Sequence, residues 1–265
     1  LIFRKNAGLG WIPNEPDSRD FDFDKLGLSI PPPRIDEKFS LRDFAGPVFD
    51  QGKTASCVSQ AIAGAIVIRE ARVGLSARVP SRLFIYHNAR RYKGTTKVDG
   101  GTVIRDAFEG LKWYGAPDEQ AFPFSTSIFT VNRQPPWEAY NLAFGRRGGS
   151  YYLIRDRGEA RLSAIRAALF DGLPVLFGTS VSKSFLSFRG PEVIESPASS
   201  DPKVGGHAML ITGIQAGPSG RLFEVRNSWG AAWRAGGYCL FSESYIRSDA
   251  VRDLTVVSGW SRLQK

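Results

Sequence analysis

Cysteine and histidine are the scarcest chemistry-bearing residues in this chain, at two of each in 265 residues. Two cysteines allow at most one internal disulfide, which excludes the cross-linked framework that holds small secreted domains together. Long apolar runs are also missing. The longest in the first half, AIAGAIVI, is far too short to cross a bilayer, and the N-terminus lacks the charged-then-apolar pattern of a signal peptide. A chain beginning at Leu1 leaves room for a leader removed ahead of it, so the sequence does not separate a bacterial cytoplasmic location from secretion. The net charge of +9 comes from 35 basic residues dispersed among 26 acidic ones, with no basic run and no nucleic-acid motif. That argues against a nucleic-acid partner, and nothing points to a membrane one.

What is present is an ordinary globular composition, 42% apolar, with 28 glycines and 16 prolines scattered rather than repeated. The first 34 or so residues are rich in Pro, Gly and Asp, show no helical or strand period, and end in Pro31-Pro32-Pro33. They read as an extended arm, either a surface strap or a regulatory segment. Beyond them, CVSQAIAGAIVIREARVG is apolar on nearly every side, which predicts a buried helix capped by Ser56, with Cys57 in its first turn and its end near Gly74. SRLFIYHNARRYKG and GGTVIRDAFEGLKWYG read as two further helices closing at glycines. From Tyr151 the pattern changes. One helix, GEARLSAIRAALFDG, is followed by short runs of strand character: PVLFGTSV, HAMLITGI, RLFEVRNSW and GGYCLFS. A helical lobe followed by a β lobe is an α+β arrangement, and the cleft between lobes is where a site belongs.

A cysteine at a helix start receives the partial positive charge that stabilises a thiolate, which makes Cys57 a candidate nucleophile. It needs a base. His87 sits within FIYHNARR on a predicted helix, where a half-buried or surface structural residue is the simpler reading. His207 follows Gly205-Gly206 and opens a strand, so backbone can approach it closely on the cleft side. Asn227 in RNSWG can fix the imidazole without adding charge. Trp229 either shields that hydrogen bond from water or is plain core. Gln51, six residues ahead of Cys57, can supply a side-chain amide to a developing oxyanion, with the Cys57 backbone N–H as the second donor.

QGKTASCVSQA, GGHAMLITGI and RNSWGAAWRAGGY together resemble the three signature segments of papain-like cysteine peptidases, in that family's order. The resemblance runs from about Arg34 to the end. It implies residues 1–34 as an arm and 35–265 as a papain-like domain, with a helical N-terminal lobe, a β-sheet or barrel C-terminal lobe and the active site between them. It also implies a cysteine endopeptidase acting on peptide or protein substrates through a thioester, without metal or organic cofactor. Catalytic roles fall on Gln51, Cys57, His207 and Asn227. Substrate contacts fall on Gly100 and Gly101 as a backbone docking strip, on Thr102 and Gly205 as the wall of the S2 pocket, on Gly206 just before the histidine, and on Trp229.

Departures from the family pattern are also instructive. Thr54 replaces the disulfide cysteine common ahead of the nucleophile, Val58 replaces the usual aromatic after it, and Arg234 stands where the family has glycine, read here as a solvated turn. Cys239 reads as a buried free thiol. The lack of disulfides resembles bacterial members. The large helical propeptide of many members is absent, so self-inhibition, if present, falls to residues 1–34. The loop RGPEVIESPASSDPKVGG ahead of His207 either rims the cleft or is a mobile surface loop. Two other classes compete: a catalytically silent peptide-binding protein on the same scaffold, against which the intact Gln51, Cys57, His207 and Asn227 argue, and a related acyl-transfer enzyme, such as a transglutaminase or amidase, working through the same triad.

Overall fold

The computed structural model describes residues 8–29, 37–127, 129–188 and 193–260. The Pro31-Pro32-Pro33 run and part of the loop ahead of His207 lie outside them. Seven α-helices are described: α1 Cys57–Arg72, α2 Arg82–Arg91, α3 Ile104–Tyr114, α4 Trp137–Ala143, α5 Gly158–Phe170, α6 Lys183–Ser187 and α7 Glu243–Arg247. The strands are β1 Phe21–Asp22, β2 Lys38–Ser40, β3 Gly148–Leu153, β4 Val175–Ser182, β5 Val193–Ile194, β6 Lys203–Gly217, β7 Gly220–Arg226, β8 Tyr238–Ser242 and β9 Val251–Trp260. The four runs expected to be strands fall on β4, β6, β7 and β8, and the four expected helices on α1, α2, α3 and α5.

Helix α1 is buried on almost every side, as its unbroken apolar run requires, and it packs on the sheet. Gly64 faces the sheet, where a Cβ would make ordinary contact with Leu210 Cδ2 at 3.5 Å. Ser56 occupies the N-cap position of α1, yet its side chain does not cap the helix. The hydroxyl instead pairs with Thr54 Oγ1 at 2.8 Å and accepts from Gln60 Nε2 at 3.1 Å. Two buried clusters result. The larger joins α1, α5 and the sheet, and the smaller gathers Leu83, Phe84 and Tyr86 of α2 with Phe122, Val131 and α4.

The sheet runs β1-β3-β9-β4-β6-β7-β8-β5, with β2 attached to β6. Its centre is antiparallel, and the parallel pairings are β1 with β3 and β5 with β8. Strand β9 lies between β3 and β4, near the middle. The arm is a strap along part of its course: Phe21 and Asp22 add a strand beside Tyr152 and Leu153, and Asp20 accepts from Arg105 Nε at 2.8 Å and Tyr151 Oη at 2.9 Å. Among the described residues no helix is long and apolar enough to cross a membrane.

Candidate active site

Three segments converge on the first turn of α1. Strand β6 carries His207 opposite Thr179 of β4. Strand β7 ends at Arg226 and delivers Asn227, whose N–H donates to Gly237 O at 3.0 Å. The segment from Phe49 to Gln51 pairs with the segment after Asn227: Gln51 N donates to Ser228 O and Gly230 N to Phe49 O, both at 2.9 Å. Gly230 is required there, since its φ is +80° and a Cβ would stand 3.0 Å from Asp50 Oδ2. The short ladder therefore sets Gln51 beside the Asn227 segment. Arg226 supports it from below, donating to the Ala45 and Pro47 carbonyls and stacking on Phe49 at 5.0 Å.

His207 is fully buried, and its Nε2 lies 2.8 Å from Asn227 Oδ1. That oxygen also accepts from Ser228 N at 2.7 Å, so it serves as an acceptor and Nε2 carries the proton. The lone pair is then on Nδ1, which makes no hydrogen bond. Trp229 stacks on the imidazole with ring centroids 4.7 Å apart and is itself pinned edge-on by Phe185 and Trp233. Trp229 is 4% exposed, a core residue, and its ring lies against the imidazole that bonds Asn227.

Gln51 is held at both ends. Its Oε1 accepts from Ser228 Oγ at 2.5 Å, and its Nε2 donates to Thr54 O at 2.7 Å and to Gly8 O at 3.1 Å. Ser228, adjacent to the motif asparagine, thus orients the amide, a role not read from the sequence.

Cys57 opens α1, as expected, and is fully buried. Burial pushes its thiol up to about 11, opposed by backbone hydrogen bonding from Ala208 and Gly10. Burial likewise pushes His207 down to about 4, against the pull of Asn227. Both groups are therefore neutral near pH 7 with the cleft covered.

The arm provides the cover. Gly10 N and Trp11 N donate to Gly206 O at 2.9 and 3.1 Å, Thr102 N donates to Gly10 O at 2.9 Å, and Ile12 N donates to Thr102 O at 3.1 Å. The pairing of Trp11 with Thr102 is parallel. Leu9 packs on Gly205, where an added Cβ would stand 2.8 Å from Leu9 Cδ1. The backbone bonds thus fall on Thr102 and Gly206. Gly101 is crossed at close range, a Cβ there coming 2.1 Å from Gly10 O, and its N–H donates to Tyr86 Oη at 3.1 Å. Tyr86 in turn donates to Asp99 Oδ1 at 2.6 Å, and Asp99 accepts from Ala55 N at 3.0 Å, which ties the strip to the loop before Cys57. Gly100 is exposed at the rim.

His87 is more buried than expected, at 6% exposure, because α2 packs into the smaller cluster, and burial pushes it down to about 4. Cys239 is a buried free thiol on β8, and neither cysteine is in a disulfide. Arg234 sits on a turn, as expected, but is not freely solvated: it stacks on Phe188 at 4.6 Å and Trp233 at 5.0 Å. Its φ of +47° accounts for a glycine at that position in the motif.

The pattern described as "Papain family cysteine protease" matches residues 35–253. The chain belongs to the papain family of cysteine proteases. It is 32% identical over 265 residues to the uncharacterized peptidase C1-like protein L477 of Acanthamoeba polyphaga mimivirus, an alignment covering 92% of this chain and 84% of that protein. The structure superimposes on Xylellain, a cysteine protease from Xylella fastidiosa, with a TM-score of 0.82 at 30% identity, covering 97% and 98% of the two chains. Digestive procathepsin L 3 of Tenebrio molitor shares the fold at a TM-score of 0.68 and 18% identity, covering 95% of this chain and 75% of that one. The papain-like α+β fold and a cysteine-type peptidase are thereby given for this papain-family chain, whose two cysteines are both free.

Proposed function

We propose that this papain-family chain is a cysteine endopeptidase whose cleft is held closed by its own residues 8–12. The observation that carries the reading is the set around Cys57: His207 with its proton on Nε2 toward Asn227 and a free Nδ1, and the Gln51 amide aimed at a carbonyl. In the open enzyme His207 Nδ1 takes the Cys57 proton. The thiolate forms a C–S bond to the scissile carbonyl, and the oxyanion rests on Gln51 Nε2 and the Cys57 N–H. Collapse breaks the C–N bond as His207 returns the proton to the leaving amine. Water, deprotonated by His207, then adds to the thioester, and the acid leaves as the thiol is re-formed. Asn227 holds the ring in the tautomer that each step uses.

In the covered state Gly8 O occupies the place of the substrate oxygen on Gln51, and Trp11 fills the adjoining side-chain slot. Self-inhibition by the arm and peptide or protein substrates follow from this reading. The test is covalent labelling of Cys57 by an epoxysuccinyl peptide together with hydrolysis of a fluorogenic dipeptide. Both are expected once the arm is displaced and both are expected to vanish in Cys57→Ala. Hydrolysis that persists in Cys57→Ala refutes the reading.

A further inference from the structure

The inward side of α4 is used by the fold. Ala139 and Ala143 are buried in the smaller cluster, and Tyr140 packs on Phe84 with ring centroids 4.8 Å apart while its hydroxyl donates to Asn88 Oδ1 of α2 at 3.0 Å. The outward side is apolar as well: Trp137 is 68% exposed, Leu142 62%, and Phe144, just past the helix end, 59%. The end of α3 adjoins it, since Tyr114 meets Tyr140 edge-on at 5.8 Å and a Cβ on Gly115 would stand 2.3 Å from Ala143 O. That junction adds Trp113, itself 59% exposed. Four large side chains left in water at one end of a lobe mark a surface that is covered in use.

Cations are interleaved with these rings. Arg91 stacks on Tyr114 at 5.2 Å and Arg147 on Phe144 at 4.0 Å, and Lys112 precedes Trp113. All three are exposed, with Glu138 as an exposed acid among them. This charge narrows the choice of occupant. A second copy would bring the same cations face to face, in a chain that carries +9 overall. A protein–protein interface keeps charge out of its apolar centre, whereas here guanidinium groups lie on the rings themselves. Nucleic acid stacks its bases on open ring faces, but Tyr114 and Phe144 each give a face to a guanidinium, and Leu142 has none. An anionic bilayer meets both demands: the rings and Leu142 enter the acyl boundary, and the guanidinium groups stay at the level of the phosphates.

We infer that the chain docks on anionic lipid surfaces through Trp113, Trp137, Leu142 and Phe144, with Arg91, Lys112 and Arg147 pairing with lipid phosphates. Helix α3 sets the orientation. Its 11 residues span about 16 Å and start just after Thr102 at the cleft, so the cleft stands a helix length from the docked face and is left free for substrate. The expectation of no membrane partner rested on the lack of long apolar runs, and this surface needs none. Its residues come from α2, α3 and α4 and meet only in the fold.

The experiment is co-sedimentation of the full-length chain with phosphatidylcholine vesicles, plain or enriched in phosphatidylglycerol. Binding to the enriched vesicles is expected to exceed binding to the plain ones by at least about tenfold and to be reversed by salt. Trp137→Ser with Phe144→Ser, and separately Arg91→Gln with Arg147→Gln, are each expected to lower binding about tenfold while melting temperatures stay unchanged. Arg157→Gln removes an exposed cation that pairs with Asp249 between α7 and β9, and is expected to leave binding as it was. Equal binding to the two kinds of vesicle, or a loss in Arg157→Gln as large as that in the Arg91 and Arg147 variant, overturns the inference. A chain that ignores both vesicles yet dimerises, or binds oligothymidylate, through the same side chains also overturns it and gives the face to that occupant.

Discussion

The amide nitrogen of Gln51 lies 3.1 Å from the carbonyl oxygen of Gly8, so the group proposed to stabilise an oxyanion already holds a carbonyl from the same chain. The arm and the residues proposed as catalytic are thus joined by hydrogen bonds. Removing either side of that contact has different consequences.

Displacing the arm should activate. A Cβ at Gly10 would stand 1.9 Å from Ala55 O, which is backbone and cannot yield, so Gly10→Val expels this part of the arm. Trp11 then leaves its slot. Burial of a large aromatic side chain is worth about 2 kcal/mol, enough to change the open fraction by more than tenfold. Alkylation of Cys57 by iodoacetamide at pH 7 should accelerate by at least about tenfold. An unchanged rate means that the arm does not limit access.

Removing the amide should cripple turnover instead. In the Gly10→Val chain, Gln51→Ala is expected to lower kcat by about 10²- to 10³-fold with little change in KM, as for loss of one oxyanion donor. Ser228→Ala leaves Gln51 in place but frees its Oε1, and about a tenfold loss in kcat is expected. Steady-state kinetics on one dipeptide substrate measures both. A KM effect in place of a kcat effect contradicts the role given to Gln51.

Which parts of this were legible beforehand follows from how local their causes are. Cys57 at a helix start, His207 after two glycines and Asn227 before Trp229 each carry their signal within a few residues. Helix α1 and strands β4, β6, β7 and β8 are likewise announced by their own apolar runs. Strand β9 was missed because Arg252 and Asp253 interrupt its apolar residues, and its place between β3 and β4 is a tertiary fact. Along the described arm, Phe21 and Asp22 run beside β3 while Gly8 to Ile12 hydrogen-bond to Gln51, Thr102 and Gly206. The spacing of Gly8 and Gly10 was the available sign of the latter course, since each runs against backbone at Thr54 O or Ala55 O with no room for a Cβ.

Acid should destabilise the protein through its two histidines. His207 and His87 are held near 4, below their ordinary 6.5, both chiefly by burial. Between those values the unfolded chain binds protons that the folded one does not. The stability they contribute is therefore complete above about pH 6.5 and is lost as pH falls toward 4. A shift of this size corresponds to about 3 kcal/mol for each group. Melting temperatures measured from pH 7 to pH 4 should fall, and less steeply in His87→Gln. A drop of the same size in that variant shows that His87 does not contribute.

A buried ion pair anchors the chain where the papain-like body begins. Arg166 Nε of α5 donates to both Glu37 carboxylate oxygens at 2.7 Å, and Glu37 O accepts from Ala216 N at 2.8 Å. Arg166→Ala strands a buried carboxylate and should cost about 3–5 kcal/mol, whereas an apolar pair of similar volume at both positions should restore much of it. Urea denaturation of the single and double variants measures the difference. Equal stabilities would mean that the pair is solvated.

The most direct test of the central claim is the rate of fluorogenic dipeptide hydrolysis by the Gly10→Val chain with and without Cys57→Ala. The account predicts turnover that disappears completely with the Cys57 thiol while the melting temperature stays within a few degrees. Hydrolysis at an unchanged rate in the Cys57→Ala chain would contradict it.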